Sequence, residues 1–372
     1  MNQDKNKIKI LISGGGTGGH IFPALSIANA MRRRRPDCEI LFVGALGRME
    51  MERVPAAGYR IEGLPVAGFD RKRLWRNFGV LIKLWKSMRK ARRIVADFAP
   101  DAAVGVGGYA SGPVLKEAQK RGIPTLIQEQ NSYAGVTNKL LAPHASAICT
   151  AYDSMERFFP ADRITLTGNP VRKELTQCTL TQAEAKKSLG FDPERPLIFV
   201  TGGSLGARTV NDAVAAMLPR LRKGNTTQLL WQTGRLYEQE CMAKASGYDD
   251  VKASAFIADM ATAYRAADLV VARAGAGTIS ELQLLGKAAI LIPSPNVAED
   301  HQRRNAEALS ERGAALMLLD SDAVELLGDM ALKLVNDKAK LAKLAEAAGA
   351  MAMSGSDDKI ADILISLISK EK

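Results

Sequence analysis

The chain has 372 residues, 47% of them hydrophobic and 24% charged, a composition typical of a soluble globular protein. No apolar run approaches the length of a membrane span, and the polar segment before the first strand does not resemble a signal peptide, so we expect a cytoplasmic protein. The length predicts two domains. The four cysteines, which lack disulfide or zinc-site spacing, are Cys38, Cys149, Cys178 and Cys241.

The net charge of +11 indicates an anionic partner. Ten Lys or Arg residues and one acidic residue, Asp70, lie between Phe69 and Arg93. The charge alone does not decide among three kinds of partner: a polynucleotide, a membrane surface or an acidic small molecule.

The first candidate ligand loop runs from Ser13 to His20 and contains five glycines. It follows a predicted strand from Ile8 to Ile12 and precedes a helix predicted from Phe22 to about Arg35. Such a loop can bind phosphate, because a helix N-terminus presents backbone N–H groups and a positive dipole. The loop lacks the Gly-Lys-Ser/Thr ending of an ATPase loop, and no acidic residue closes the next predicted strand, Ile40 to Val43, as in a dinucleotide site.

The basic stretch is predicted as a helix from Leu74 to Arg93. A helical wheel puts one set of apolar residues on a core-facing side: Leu81, Leu84, Trp85, Met88 and Ala91. Cationic residues occupy the other side, with aromatic residues between, which favours contact with an anionic membrane. We assign that contact to Trp75, Arg76, Phe78, Ile82, Lys83 and Lys86. The alternative is a solvated basic face whose aromatic residues enter the core.

A second glycine-rich turn, Gly107 to Pro113, follows a predicted strand from Ala102 to Val106. By itself it indicates only a tight connection to a helix. The next predicted strand, Thr125 to Gln128, is followed by Glu129-Gln130-Asn131, and Asn138 lies on the helix after it. Polar groups gathered at this edge suit sugar hydroxyls or amides.

The second half of the chain repeats the pattern. A predicted strand from Leu197 to Val200 leads into the glycine turn Thr201 to Arg208 and a helix. Strands and helices alternate throughout, which predicts an α/β fold with two Rossmann-like doubly wound domains facing a cleft. Turn residues place the domain boundary between Gly168 and Pro196.

The segment from Leu269 to Asn305 predicts a diphosphate site. Its strands, Leu269 to Val271 and Ala289 to Pro293, bracket a glycine turn and one helix, and Glu299 to Gln302 follow at the edge where ligands of open α/β sheets bind. The alternative is structural, because Thr278-x-x-Glu281 is also the pattern of a capping box.

Taken together, these motifs resemble the MurG family, the undecaprenyl-diphospho-muramoylpentapeptide N-acetylglucosaminyltransferases of bacterial cell-wall synthesis. The resemblance spans about residues 8 to 310 in unchanged order. The motifs that carry it are Gly15 to His20, Gly107 to Gly112, Glu129 to Asn131, Thr167 to Arg172, Gly202 to Ser204, Arg273 to Gly275 with Glu281, and Asp300 to Gln302.

The resemblance implies a glycosyltransferase-B architecture. Residues 1–168 would form a domain that faces the acceptor and the membrane, and a final helix at about 355–372 would pack back on it. Residues 169–354 would form a UDP-sugar-binding domain. The implied partners are UDP-N-acetylglucosamine, lipid I and the cytoplasmic face of an anionic membrane, which the protein would contact peripherally. The product would be lipid II.

The resemblance also implies roles for particular residues. Glu281 matches the family's glutamate that binds the ribose hydroxyls. The Ile257 backbone matches the group that recognises uracil, and His301 and Gln302 match residues that contact the donor sugar. The remaining donor-binding assignments are Thr17, Gly18, Gly19, Asn131, Arg172, Ser204, Gly275, Ala276, Gly277 and Thr278. The acceptor-binding assignments are Gly15, Gly16, Gly107, Gly108, Tyr109, Ser111 and Asn138. Leu205 replaces the usual Gln, which puts one side-chain contact in doubt.

The reaction constrains the catalytic groups. Transfer with inversion needs a base for the acceptor hydroxyl and stabilisation of the leaving UDP. His20 is our candidate base, since histidine titrates near neutral pH, and Glu129 is the reserve. Each has a structural alternative, His20 as a hydrogen-bonding partner of its loop and Glu129 as a loop cap. A helix N-terminus and Arg172 can stabilise the leaving UDP without a metal, so we expect neither a metal nor a cofactor.

Two other classes remain as alternatives. A nucleic-acid-binding protein would explain the charge but should spread its basic residues along a groove, so we expect no nucleic-acid partner. A UDP-N-acetylglucosamine 2-epimerase or another lipid glycosyltransferase of the same fold would share the donor motifs.

Overall fold

The computed structural model describes residues 7–16, 18–66, 78–203, 205–221 and 226–370. The chain divides into two compact units. Unit 1 comprises Met1–Val171 and Ser354–Lys372, and unit 2 comprises Arg172–Met353. The chain therefore leaves unit 1 once and returns to it.

Unit 1 is built on a parallel sheet of seven strands in the order β3-β2-β1-β4-β5-β6-β7. Its elements before the crossing are β1 (Lys9–Ser13), α1 (Gly18–Arg34), β2 (Glu39–Ala45), α2 (Glu50–Ala56), β3 (Arg60–Leu64), α3 (Phe78–Phe98), β4 (Ala102–Gly105), α4 (Ser111–Lys120), β5 (Thr125–Glu129), α5 (Val136–Leu141), β6 (Ala147–Thr150) and β7 (Ile164–Leu166).

Unit 2 contains a parallel sheet of six strands in the order β10-β9-β8-β11-β12-β13. Its elements are α6 (Gln182–Ser188), β8 (Leu197–Thr201), α7 (Arg208–Met217), β9 (Gln228–Gln232), α8 (Glu238–Ala245), β10 (Val251–Ser254), α9 (Met260–Ala266), β11 (Leu269–Ala272), α10 (Ala276–Leu284), β12 (Ala289–Leu291), α11 (His301–Ser310), β13 (Leu316–Met317), α12 (Ala323–Val335) and α13 (Lys338–Ala350). The predicted α/β class with two doubly wound sheets is confirmed.

The sheet of unit 1 is covered on both faces, as parallel sheets usually are. Successive side chains of a strand point to opposite faces, so Ile10 and Ile12 of β1 pack into one apolar cluster and Leu11 into another. The final helix, α14 (Ser356–Lys370), belongs to the first of these clusters. Its buried residues Ile360, Leu364 and Ile368 join the cluster that contains residues of α1.

Two boundaries differ from the sequence-based prediction. The first helix begins at Gly18, one turn before Phe22, and carries Pro23 inside it. A sequence rule that favours Pro in the first helical turn predicts a later start. Helix α3 begins at Phe78 and extends to Phe98, whereas the predicted start at Leu74 lies outside the described residues. Within the described ranges, no helix has the length and hydropathy needed to span a membrane.

Candidate functional site

In unit 1, two glycine turns meet at the carboxyl end of the sheet. Gly16 and Gly108 have positive φ, at +91° and +83°. A Cβ on Gly108 would lie 2.4 Å from the carbonyl oxygen of Gly15, so only glycine permits this approach. The two predicted acceptor loops are therefore in contact, although Thr17 lies outside the described residues.

His20 lies in the first turn of α1, beside both loops. Its Nδ1 is 3.1 Å from the carbonyl oxygen of Gly15. A carbonyl oxygen only accepts, so this contact assigns the hydrogen of the neutral ring to Nδ1 and the lone pair to Nε2. A Cβ on Gly107 would lie 3.0 Å from Nε2, so the glycine there leaves space next to this nitrogen. The loop hydrogen bond that was the structural alternative for His20 is present, and it also orients the ring as a base would require.

Glu129 ends β5, is 1% exposed and uses both carboxylate oxygens within unit 1. Oε1 accepts from the backbone N–H and the side-chain amide of Asn131, at 3.1 and 3.2 Å. Oε2 accepts from the Gly135 N–H at 3.0 Å and from Nδ2 of the buried Asn138 at 2.9 Å. This arrangement favours Glu129 as the residue that organises the β5–α5 loop over its use as the reserve base.

The other assigned residues of this loop region differ in exposure. Tyr109 is 57% exposed, whereas the hydroxyl of Ser111 donates to the Gly108 carbonyl at 3.0 Å. Gly18 and Gly19 form the first turn of α1. This edge of the sheet therefore carries both a solvent-exposed side chain, Tyr109, and a side chain that holds the loop, Ser111.

Glu50, a buried carboxylate in this region, was missed by the sequence reasoning. It is 1% exposed, begins α2, and accepts hydrogen bonds from the Gly16 N–H at 3.0 and 3.1 Å. The signal that could have found it is an acidic residue shortly after β2, at the same edge of the sheet as the glycine loop.

In unit 2, the predicted diphosphate turn opens α10. The helix begins at Ala276 with Gly275 as its N-cap in an extended conformation (φ −69°, ψ 143°), and no described side chain caps it. Thr278 is therefore inside the helix, and the capping-box alternative for Thr278 and Glu281 is wrong. Instead, the first backbone N–H groups of α10, including that of Gly277, have no partner within the helix, and a terminus of this kind can bind an anion.

Glu281 makes two side-chain contacts inside unit 2. Its Oε1 accepts from Nη2 of Arg172 at 3.1 Å, and its Oε2 accepts from the hydroxyl of Tyr264 at 2.9 Å. Tyr264 is 1% exposed, and its pKa is raised well above the usual value by burial first and then by the Glu281 charge. The phenol therefore stays protonated and donates. Two predicted donor-binding residues, Arg172 and Glu281, are brought together by this network.

The Ile257 backbone is held by a buried amide. Its N–H donates to Oε1 of Gln232 at 2.9 Å, while Nε2 of Gln232 donates to the Thr201 hydroxyl at 2.9 Å. Oε1 of Gln302 accepts from the Ser294 N–H at 2.9 Å, and His301 begins α11 next to it. Of the remaining donor residues, Ser204 lies outside the described part of the chain, and its neighbour Leu205 is 58% exposed.

The first half of α3 is exposed on its apolar side as well as on its basic side. Leu81, Leu84 and Trp85 are 53%, 39% and 58% exposed, so their predicted place in the core is wrong. The helix contributes its later residues to the core, including Ala91 and Val95. A helical wheel shows which residues share a face, but the face here extends beyond the sheet that would cover it.

The remaining membrane assignments lie on or before this helix. Ile82 is 45% exposed, and Lys83 and Lys86 are exposed. Trp75, Arg76 and the side chain of Phe78 lie outside the described residues. No group of three or more His, Cys, Asp or Glu residues with metal-site geometry occurs in the portion of the chain that was described.

Comparisons with known proteins cover both units. Residues 10–150 match the glycosyltransferase family 28 N-terminal domain, and residues 197–361 match the glycosyltransferase family 28 C-terminal domain. A protein of Bacteroides thetaiotaomicron is 55% identical, with 99% of this chain and 100% of the relative covered. A protein of Phocaeicola vulgatus is 56% identical, with 98% of each covered. Both are named as UDP-N-acetylglucosamine–N-acetylmuramyl-(pentapeptide) pyrophosphoryl-undecaprenol N-acetylglucosamine transferases.

Among solved structures, the crystal structure of Acinetobacter baumannii MurG aligns with a TM-score of 0.75 at 28% identity. The alignment covers 96% of this chain and 99% of that one.

Proposed function

We propose, since the chain belongs to the MurG family of glycosyltransferase family 28, that it transfers N-acetylglucosamine from UDP-N-acetylglucosamine to lipid I, producing lipid II. The single observation that carries this proposal is the relationship at 55% identity over the whole length of a relative named for this reaction. The enzyme would thereby serve peptidoglycan synthesis.

The donor is proposed to bind unit 2 with its diphosphate at the N-terminus of α10. The backbone N–H groups after Gly275 would meet the phosphate oxygens, and the positive end of the helix dipole would stabilise the charge that develops on the leaving UDP. The N–H of Ile257 donates to Gln232, so the uracil N3–H would be bound by the Ile257 carbonyl oxygen. Glu281 would accept from the ribose hydroxyls while remaining paired with Arg172.

The donor sugar is proposed to lie against the start of α11. His301 and Gln302 sit in the first turn of that helix, after a loop in which Glu299 and Asp300 adopt positive φ values of 56° and 50°. These conformations are costly for residues other than glycine, so the surrounding structure must hold the loop in place. A loop held in this way can keep polar side chains oriented toward sugar hydroxyls.

His20 in unit 1 is proposed as the general base. Nε2 would take the proton of the acceptor hydroxyl as the oxygen attacks the anomeric carbon and the bond to UDP breaks, the electron pair leaving with UDP. Inversion needs only this one displacement, so no covalent intermediate with the protein is required. The loops around Gly107 and Gly108 would border the acceptor, and Asn138 would act with Glu129 to shape that edge.

Unit 1 is proposed to contact the cytoplasmic face of an anionic membrane through the start of α3. Leu81 and Trp85 present exposed apolar surface, and Lys83 and Lys86 present charge beside it. Apolar residues flanked by cations are the pattern of a helix that lies in the membrane interface. A peripheral attachment of this kind would bring the enzyme to a lipid-linked acceptor.

The proposal is tested by incubating the protein with UDP-N-acetylglucosamine and lipid I and following lipid II by mass spectrometry. Lipid II formed only when both substrates are present supports the transferase. A 2-epimerase would instead interconvert the nucleotide sugar without any acceptor. Another lipid glycosyltransferase of the same fold would prefer a lipid acceptor that lacks the peptide, and either result would overturn the proposal.

A further inference from the structure

The carboxylate of Glu50 is buried behind the glycine loop of unit 1. Oε1 accepts from the Ala45 N–H at 2.9 Å, and both oxygens accept from the Gly16 N–H. Burial of a carboxylate is unfavourable unless hydrogen-bond donors surround it, so its place here needs an explanation. Backbone donors at both oxygens satisfy the group in its charged form.

The peptide that Glu50 binds is the same peptide that His20 binds. The N–H of Gly16 and the carbonyl of Gly15 belong to one peptide unit; the N–H donates to Glu50, and the carbonyl oxygen accepts from His20 Nδ1 at 3.1 Å. Carboxylate, peptide and imidazole thus form a continuous chain of hydrogen bonds. Bonds in such a chain polarise one another, since a carboxylate on the N–H makes the carbonyl oxygen a stronger acceptor.

The Gly15 side of this peptide is closely packed. A Cβ on Gly15 would lie 2.0 Å from Glu50 Oε1, and one on Gly44 would lie 2.5 Å from Glu50 Cγ. On the opposite side, a Cβ on Gly108 would lie 2.4 Å from the Gly15 carbonyl oxygen. The Gly15–Gly16 peptide therefore contacts the Glu50 carboxylate on one side and the Gly108 loop on the other. These two contacts fix the direction of the Gly15 carbonyl.

We propose that Glu50 is a positioning residue for His20, acting through the Gly15–Gly16 peptide. It holds the carbonyl that selects the Nδ1–H tautomer, so Nε2 carries the lone pair. Its negative charge also stabilises the imidazolium that forms when Nε2 takes a proton, as the carboxylate of a catalytic triad does by direct contact. This inference rests on the proposed function, in which His20 is the base.

A second buried carboxylate, that of Glu129, lies on the Asn138 side of Gly107. Glu129 binds Nδ2 of Asn138, and that amide nitrogen lies 3.9 Å from a Cβ built on Gly107, the position that is 3.0 Å from His20 Nε2. Its charge acts on the Nε2 side of the imidazole, whereas Glu50 acts on the Nδ1 side. A change at Glu50 should therefore alter the tautomer, which a change in overall charge near the ring would not do.

The direct test is nitrogen NMR of histidine-labelled protein across a pH series. The chain has only three histidines, so a His20→Ala sample assigns the His20 signals. In the wild-type protein we expect the neutral His20 ring to be in the Nδ1–H tautomer. An Nε2–H tautomer in the wild type would overturn the proposal without any reliance on a variant at Glu50.

The variant arm compares Glu50→Gln with Glu52→Gln, which removes the same charge from an exposed residue of the same helix. Glu50→Gln should mix the two tautomers, move the His20 titration midpoint to lower pH and reduce kcat on the order of tenfold with the donor KM unchanged. Glu52→Gln should change none of these. Equal His20 titrations in Glu50→Gln and the wild type would overturn the proposal.

The role of His20 as the base and the role of Glu50 in positioning it can be contradicted by different results. If His20→Ala retains full turnover, the assignment of the base is wrong, whatever the NMR result. If His20→Ala is inactive while Glu50→Gln keeps the wild-type tautomer and titration, the base stands and the positioning role of Glu50 is wrong.

Discussion

The guanidinium of Arg172 and the carboxylate of Glu281 lie 3.1 Å apart although 109 residues separate them in sequence. The pair joins the first residue of unit 2 to the helix that is proposed to bind the donor diphosphate. Their side chains are 33% and 14% exposed, so the pair is only partly screened by solvent. The carboxylate can therefore be oriented for a ligand before the ligand binds.

The first prediction concerns donor affinity. Glu281→Gln should raise the Kd for UDP about tenfold or more, because hydrogen bonds from ribose hydroxyls to a charged carboxylate are worth a few kcal/mol. Calorimetric titration with UDP measures this change. Glu240→Gln, which removes a carboxylate from an exposed pair with Lys244 in the same unit, should bind UDP normally.

Glu281 also accepts from Tyr264, so thermal unfolding must be measured on the same samples. A lower melting temperature with unchanged UDP affinity would show that Glu281 only holds the fold of unit 2.

The second prediction concerns the base. His20→Ala should reduce turnover on the order of a hundredfold or more while the Kd for UDP is largely kept. In the wild type, turnover should fall as the pH is lowered, since a protonated imidazole cannot accept a proton. His144→Ala is the control, because that histidine is exposed and lies at the opposite edge of the sheet, just before β6. Unchanged turnover and an unchanged pH profile in His20→Ala would point to Glu129 or to solvent.

The third prediction concerns vesicle binding. Anionic lipid attracts each nearby basic residue by about 1 kcal/mol, whereas the burial of apolar surface is insensitive to screening by salt. Binding to anionic vesicles should therefore weaken at high salt without being lost. Charge reversal at Lys83 and Lys86 should remove the salt-sensitive part, and Leu81→Ser with Trp85→Ser the residual part.

A matched control reverses the charge of two exposed lysines of α13, Lys338 and Lys340, and should leave vesicle binding intact. Turnover on a short-chain, water-soluble acceptor should survive all of these changes. Equal binding of the wild type to neutral and anionic vesicles would contradict the proposed membrane contact.

The fourth prediction concerns the final helix. Leu364 is fully buried in the cluster shared by α14 and α1, so Leu364→Ala should lower the free energy of unfolding by about 2–5 kcal/mol. Asp362→Ala removes the partner of Arg34 on the exposed side of α14 and should change stability little, because surface ion pairs contribute little. Denaturant titration distinguishes the two. Similar stability for both variants would mean that α14 is not part of the cooperative core.

The alternation of strands, glycine turns and helices was sufficient to predict the α/β class, and β5 begins at Thr125 as predicted. Predictions based on local spacing were less reliable. Thr278 and Glu281 have the spacing of a capping box, but the helix begins at Ala276, because Gly275 already supplies the extended N-cap conformation.

Glu50 illustrates what sequence reasoning could not reach. Its partner Gly16 is 34 residues away, and only the pairing of β1 with β2 brings them together. Likewise, the wheel for α3 grouped Leu81 with Trp85, but exposure depends on where the sheet ends, which the helix itself does not encode.

The return of α14 to unit 1 has a consequence for synthesis on the ribosome. All of unit 2 leaves the ribosome before the helix that completes the apolar cluster of unit 1, so unit 2 can fold while the surface formed by Ile27 and its neighbours in α1 is still uncovered. A chain stopped a few residues short of Ser356 would carry a folded unit 2 and a unit 1 whose apolar cluster is still exposed. Such a nascent chain should be a preferred client of chaperones until α14 has been translated.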